Sequence, residues 1–213
     1  MPAVHAAIIV FAKAPVAGLA KTRLIPALGA TGAAALALRL LQHAAAAAVA
    51  ARLGPVELCV TPNPHHAAFA ALALQQGVGL QPQGDGDLGA RMHRALARLL
   101  QQHAHVLLMG ADAPALDAHL LRHAAAQLNT HDAVFVPALD GGYALVGLAR
   151  PQPLLFEGMS WSTPQVMQDT RDRARAAGLL WAETSAVADI DVPADLQHLP
   201  AAWVAPETAA AVP

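Results

Sequence analysis

Short apolar runs alternate with longer helical stretches along this chain, and the alternation limits the possible folds more than any other feature. Strands of a parallel sheet are buried on both faces and read as short apolar runs, and helices usually connect them. The sequence therefore predicts a mostly parallel sheet flanked by helices. The predicted strands are 6–12, 56–61, 105–111, 133–138, 143–148 and 179–183, and the predicted helices are 30–53, 65–76, 87–104, 116–128 and 164–177.

The pattern changes after residue 130. The stretch "AVFVPALDGGYALVGL" (133–148) contains two apolar runs joined by "LDGG". Gly141 and Gly142 can adopt a positive φ, as a hairpin connection requires. This predicts an antiparallel strand within an otherwise parallel sheet. We expect a last helix after "DVP" (191–193), a single domain over 1–204 and a disordered tail over 205–213.

Composition narrows the class of protein. A chain of 213 residues can form one core, and its net charge of −2 gives no reason to expect nucleic-acid or anionic-lipid binding. The N-terminal apolar run is shorter than the ~18 residues of a membrane span. The alanine-rich stretch 33–51 is interrupted by Arg39, Gln42 and His43, which favours a helix packed on the sheet. We expect a cytoplasmic enzyme with no membrane span.

A basic loop follows the first predicted strand. Lys13, Lys21 and Arg23 lie within eleven residues, although the whole chain has only 13 lysines and arginines. Pro15 and Gly18 predict a turn whose backbone amides can face an anion, and the three cations suit phosphate oxygens. Alternatively Lys21 and Arg23 are solvated charges at a helix start, but cations there oppose the helix dipole.

A carboxylate follows the most apolar strand. In "LLMGADAPAL", Asp112 comes two residues after Gly110, at the carboxyl end of a strand, where open parallel sheets bind ligands. A carboxylate at that edge suits a hard divalent cation such as Mg²⁺, with nucleotide phosphates and water completing the coordination. The alternative is that Asp112 caps a helix that begins near Pro114.

Two further aspartate motifs lie at the same predicted edge. In "PALDGGYALVGL", Asp140 could accept hydrogen bonds from the hydroxyls of an acceptor beside Tyr143, or the motif could be only a tight turn. In "DIDVPADL", either Asp189 or Asp191 could supply a second carboxylate to the metal. Asp191 could instead cap the last helix.

Other common motifs do not fit. Gly84, Gly86 and Gly89 do not open a helix directly after the first strand, which argues against a dinucleotide-binding dehydrogenase. Ser160 and Ser162 lie outside a G-x-S-x-G nucleophile elbow. The histidines lack metal-ligand spacing.

Six stretches in this order resemble the DUF2064 family, bacterial proteins also described as rSAM/selenodomain-associated transferase 1. The resemblance covers about residues 7–199. It implies a single-domain glycosyltransferase A type fold of the nucleotide-diphospho-sugar transferase superfamily. The stretches are "FAKAPVAGLAKTRL", "QGDGDLGARM", "GADAPAL", "PALDGGYALVGL", "WSTPQV" and "DIDVPADL".

The resemblance implies that Lys13, Gly18, Lys21 and Arg23 lie along the nucleotide phosphates and that Asp112 is the metal-binding aspartate. Together with the motifs described above, it leads to the following assignments. Asp112, Lys21 and Asp140 are assigned to catalysis, and Asp112 and Asp191 are assigned to Mg²⁺ (or Mn²⁺). Ala113 stands where many relatives have a hydroxyl residue. The predicted nucleotide contacts are Ala12, Lys13, Pro15, Gly18, Lys21, Arg23, Gly84, Leu88 and Arg91, and the predicted acceptor contacts are Asp140, Gly141, Gly142, Tyr143 and Trp161.

The function that we expect is a metal-dependent glycosyltransferase-like enzyme with a nucleotide-sugar donor and a small acceptor. A guanylyltransferase-like nucleotidyltransferase that releases pyrophosphate is the alternative. A nucleotide-binding module without catalysis is a second alternative, and product analysis separates the three.

Overall fold

The computed structural model describes residues 4–204, so the predicted tail at 205–213 lies outside the described residues. The strands in this range are β1 (Ala7–Lys13), β2 (Val56–Thr61), β3 (Gly79–Pro82), β4 (Val106–Gly110), β5 (Ala133–Pro137), β6 (Tyr143–Leu148) and β7 (Trp181–Glu183). These seven strands form one sheet in the order β3-β2-β1-β4-β6-β5-β7. Among them, only β6 runs antiparallel to its neighbours.

Helices cover both faces of the sheet, as the alternating pattern predicts. The helices are α1 (Ile25–Ala51), α2 (Ala67–Gln76), α3 (Leu88–Leu100), α4 (Ala118–Gln127), α5 (Val166–Ala176) and α6 (Ala201–Val204). One face of the sheet packs against the buried side chains of α1, α2 and α4, and the other packs against those of α3 and α5. The fold class expected from sequence, a mixed and mostly parallel sheet flanked by helices, is confirmed.

The predicted secondary structure needs correction at three places. The edge strand β3 was not predicted, because "GLQP" is mostly exposed and contains no apolar run. The first helix begins at Ile25 instead of residue 30, with a kink at Gly29, whose φ is 68°. The expected last helix is a 3₁₀ helix, Pro193–His198, followed by the short α6.

Helix α1 is part of the longest apolar segment. The helical stretch Thr22–Ala51 is long and apolar enough to cross a membrane by length and composition alone. In this fold α1 contacts β1, α2 and α4, and Ala44, Ala45 and Ala48 are buried against the sheet. Small side chains let the helix approach the sheet closely. The second half of the stretch therefore packs in the core of this fold, as the interrupted pattern predicts, while most of its first half is exposed or half-buried.

This packing can be tested by enlarging one alanine. Replacing Ala48, which is buried in the core, by leucine should lower the free energy of unfolding by about 1–3 kcal/mol, since extra methylenes strain a close-packed interface. The matched control is Ala46→Leu on the exposed side of the same helix, with an expected change of roughly 0.5 kcal/mol or less. Urea denaturation measures both. Equal losses would contradict the packing of α1 on the sheet.

Candidate functional site

The loop between β1 and α1 is a compact turn. The backbone amides of Leu19 and Ala20 both donate to the carbonyl oxygen of Val16, at 3.0 and 2.9 Å, and Gly18 has a φ of 82°. Those two amides are therefore engaged within the turn and do not face an anion, contrary to one expectation from sequence. Lys13 donates from Nζ to the carbonyl oxygen of Leu19 at 2.9 Å, so it supports the shape of the loop.

The next two cations of the loop meet two aspartates. The Nζ atom of Lys21 lies 2.7 Å from Oδ1 of Asp112 and 3.8 Å from Oδ1 of Asp191. Arg23 donates to Oδ2 of Asp191 at 2.7 Å. The Lys21 side chain is only 7% exposed, whereas that of Arg23 is 67% exposed. We call Lys21, Arg23, Asp112 and Asp191 the ion-pair cluster.

Asp112 is free of the helix-cap role that the sequence left open. Helix α4 begins at Ala118, and its cap is Asp117, whose Oδ1 accepts from the amide of Leu120 at 2.8 Å. The Asp112 side chain is 54% exposed and contacts Lys21. The carboxylate therefore stands at the end of β4 and does not cap this helix.

Asp191 is likewise not the cap of the final 3₁₀ helix. Oδ2 of Asp195 accepts from the amides of Asp191 and Val192, at 2.9 and 2.8 Å. The amide of Ile190 donates to the carbonyl oxygen of Asp112 at 2.9 Å, which ties this segment to the end of β4. The hydrogen bond brings the two proposed metal ligands to the same place.

Asp140 lies at the tip of the β5–β6 hairpin. Its Oδ1 accepts from the amide of Gly142 at 2.8 Å, so the tight-turn interpretation is correct for this oxygen. Gly141 has a φ of 92°, and a Cβ atom there would overlap the carbonyl oxygen of Pro164. The tip is thereby fixed against the segment that precedes α5, and the Asp140 carboxylate lines the same cavity as the ion-pair cluster.

This cavity has a volume of about 560 Å³ and opens at the carboxyl ends of β1 and β4. It is lined by the ion-pair cluster, by Asp140 and by two further predicted nucleotide contacts, Ala12 and Lys13. Pro15 and Gly18 belong to the loop but do not line the cavity. The sheet edge thus brings together most of the charged residues that the sequence analysis assigned to the site.

Residues that sequence reasoning missed close the opposite wall. Ser162, Thr163 and Pro164 line the cavity, and Ser162 has a φ of 62° although it is not glycine. Strained backbone of this kind is frequent at functional sites. The motif "WSTPQV" marked the segment, but no sequence signal reveals a left-handed serine.

Three further predicted nucleotide contacts lie outside the cavity lining, in addition to Pro15 and Gly18. Gly84 precedes α3, and Leu88 and Arg91 belong to its first turns. Arg91 donates from Nε to the carbonyl oxygen of Gly86 at 2.7 Å, so it braces this loop. Their contact with a nucleotide stays a prediction.

The two aromatic acceptor candidates are packed together. The rings of Tyr143 and Trp161 lie edge to face with centroids 6.3 Å apart, and Tyr143 also contacts Phe135. Burial raises the pKa of the Tyr143 hydroxyl. The Trp161 Nε1 atom is buried and has no hydrogen-bond partner within residues 4–204. Neither ring lines the 560 Å³ cavity, and their contact with an acceptor stays a prediction.

Asp189 lines two smaller cavities, of about 210 and 140 Å³, that share Asp140 with the main one. Burial raises the pKa of the Asp189 carboxyl above its ordinary value, and the charges of Asp140 and Asp195 raise it further, while Lys21 lowers it. Negative charge is therefore concentrated at this end of the site.

The donor set suits a hard divalent cation. No group of three or more His, Cys, Asp or Glu side chains within residues 4–204 is arranged to hold a metal. Asp112 and Asp191, however, converge on one ammonium group and are about half exposed, at 54% and 40%. One or two carboxylates with water and phosphate oxygens are how Mg²⁺ is usually bound beside nucleotides. The residues therefore fit such a cation.

Comparison with known proteins agrees with this architecture. The family described as "Uncharacterized protein conserved in bacteria (DUF2064)" matches residues 41–163. A protein from Desulfovibrio desulfuricans G20, described as a nucleotide-diphospho-sugar transferase, is 29% identical, with a TM-score of 0.84 over 92% of this chain and 86% of that one. Comparison with curated proteins gives no match.

Two more distant structures share the fold. A nucleotidyl transferase from Methanothermobacter thermautotroptrophicus is 14% identical, with a TM-score of 0.62 over 93% of this chain and 98% of that one. The glucosyl-3-phosphoglycerate synthase of Mycobacterium tuberculosis, in complex with Mn²⁺, UDP and glucosyl-3-phosphoglycerate, is 10% identical, with a TM-score of 0.55 over 92% and 75%. The fold is therefore that of the nucleotide-diphospho-sugar transferases.

Proposed function

Since the chain belongs to the DUF2064 family of bacterial proteins, we propose that it moves a glycosyl group from a nucleotide-sugar to a small acceptor with the help of Mg²⁺ or Mn²⁺. Its likeness to the Desulfovibrio protein and to the other transferases of this fold supports a nucleotide-dependent transferase. The observation that carries the finer proposal is the ion-pair cluster, where two cations and two carboxylates meet in one cavity at the carboxyl edge of the sheet.

The donor's phosphates would bind to the basic side of the cavity. Lys21 and Arg23 provide charged donors there, and Lys13 lines the same wall while it holds the loop. Charge-assisted hydrogen bonds to phosphate are stronger than neutral ones. The guanidinium of Arg23 is exposed, so phosphate oxygens can approach it directly.

The metal would bind to Asp112 and Asp191. A divalent cation held there would supply positive charge to stabilise the phosphate leaving group. The mycobacterial synthase has the same fold and binds Mn²⁺ with UDP, which supports the use of a divalent metal. Asp112 extends directly from β4, and the hydrogen bond from Ile190 to its carbonyl oxygen keeps Asp191 beside it.

The acceptor would enter from the hairpin side. Asp140 can orient an acceptor hydroxyl through the oxygen that does not serve the turn. In glycosyl transfer the acceptor oxygen bonds to the anomeric carbon while the bond from that carbon to the phosphate oxygen breaks. The products are the glycoside and a nucleoside diphosphate, and the hydroxyl proton passes to a base.

Nucleotidyl transfer is the second candidate, because the Methanothermobacter nucleotidyl transferase shares the fold. In that reaction an acceptor oxygen attacks the α-phosphorus and pyrophosphate leaves. The same cluster could serve either reaction, because both develop negative charge on phosphate oxygens.

Ligand-dependent stability tests the proposed binding. A ligand at a hundredfold excess over its Kd stabilises the fold by about 2.7 kcal/mol, which corresponds to a rise of about 5–10 °C in Tm for this chain length. We expect that rise with a nucleotide-sugar plus Mg²⁺ or Mn²⁺, and little with the nucleotide-sugar alone. Differential scanning fluorimetry across a panel of nucleoside phosphates and nucleotide-sugars measures it.

Two asparagine variants control this experiment. Asp112→Asn should abolish the metal-dependent part of the rise, because the amide keeps the shape and loses the charge. Asp172→Asn, on the surface of α5 beside Arg175, should leave the rise unchanged. A full metal-dependent rise in folded Asp112→Asn would contradict the metal assignment, and no rise across the whole panel would contradict the proposed function.

The released product separates the reactions. With a nucleotide-sugar or nucleoside triphosphate, Mg²⁺ and a cell extract as acceptor source, we expect a nucleoside diphosphate, measured by ion-exchange chromatography. Pyrophosphate would indicate nucleotidyl transfer instead. Binding with neither product would favour the non-catalytic alternative.

A further inference from the structure

Lys21 is paired with two carboxylates, which phosphate binding alone does not require. Its ammonium group lies between the carboxylates of Asp112 and Asp191, which are the proposed ligands of the metal. We propose that Lys21 is the resident cation of the free protein and moves from these carboxylates to the nucleotide phosphates when metal and nucleotide bind together. This inference rests on the proposed function and gives Lys21 a role besides phosphate binding, as the cation that pairs with the two carboxylates until the metal binds.

Charge balance explains why the exchange must be coupled. The ion-pair cluster has two positive and two negative side chains, so it is neutral in the free protein. A divalent cation alone would add two positive charges next to the ammonium group, and a nucleotide alone would add negative charge next to the carboxylates. Like charges at such distances repel strongly in a partly desolvated site. Together the two ligands largely cancel, so each should strengthen the binding of the other.

Burial makes this role specific to Lys21. Its side chain is 7% exposed, and a buried ammonium group needs a partner of opposite charge. Asp112 is that partner in the free protein, and phosphate oxygens would replace it once the metal takes Asp112. Arg23 is 67% exposed, so water can solvate its charge at any stage.

The backbone at Lys21 has an unfavourable conformation that the ion pair helps to maintain. Lys21 adopts a left-handed conformation, with φ 48° and ψ 46°, immediately before the 3₁₀ helix Thr22–Leu24. A left-handed conformation is unfavourable for a residue with a Cβ atom, so surrounding contacts must maintain it. The ion pair with Asp112 is one such contact.

Manganese binding without nucleotide provides the direct test. Electron paramagnetic resonance of free Mn²⁺ gives the Kd of the metal alone. We expect Lys21→Met to bind Mn²⁺ about tenfold or more tightly than the wild type, because the competing cation is gone. The matched control is Arg175→Met, which removes a surface cation of α5 that pairs with Asp172 and does not line the cavity. For this control we expect a Kd within about twofold of the wild type, and Lys21→Arg, which retains the charge, should restore a Kd close to that of the wild type.

The wild-type protein supplies a second measurement that does not depend on how the variants fold. Its Kd for Mn²⁺ should fall about tenfold or more when a nucleoside diphosphate is added. The inference is overturned if wild-type Mn²⁺ affinity is the same with and without bound nucleotide, or if folded Lys21→Met binds Mn²⁺ no more tightly than the wild type. Failure of the wild type to bind any nucleotide with Mn²⁺ would instead contradict the proposed function, while a tighter Kd in Lys21→Met would still support competition between Lys21 and the metal for Asp112 and Asp191.

Discussion

The buried ammonium group of Lys21 is the interaction on which the candidate site depends. A charge that water cannot reach must be paired, and removing the partner of a fully buried charge costs roughly 3–5 kcal/mol. These ion pairs join the loop after β1, the end of β4 and the segment around Asp191, which lies 168 residues after Arg23 in the chain. The same requirement couples the proposed ligands, because a metal that binds Asp112 removes the partner of Lys21, and a phosphate group must then replace it.

The sheet topology makes this pairing possible. Neighbouring parallel strands β1 and β4 end at the same edge, so their following loops meet there. Strand β5 also ends at that edge, so the hairpin tip with Asp140 lies there, and the antiparallel β6 leads away from it. The amide of Leu139 donates to the carbonyl oxygen of Val187 at 3.0 Å, and the next link, from Ile190 to Asp112, delivers Asp191. Each acidic residue therefore reaches the cavity through backbone pairing and not through side-chain packing alone.

Sequence reasoning recovers the parts of this account that depend on burial. The apolar runs locate the core strands, and the edge rule places Asp112 and the basic loop together, but the exposed strand at 79–82 has no such signal. The direct contact between Lys21 and Asp112 could not be predicted, because it requires a left-handed lysine, and no sequence pattern encodes that conformation. Ser162 was missed for the same reason. Local backbone strain is set by tertiary contacts that a single sequence does not display.

The most direct test of the account is anomalous diffraction at the manganese edge from crystals grown with Mn²⁺ and a bound nucleotide. We predict one manganese peak within bonding distance of the Asp112 and Asp191 carboxylates, with Nζ of Lys21 on a phosphate oxygen. A manganese peak elsewhere, or a bound nucleotide with the Lys21–Asp112 ion pair still at its distance of 2.7 Å, would contradict it.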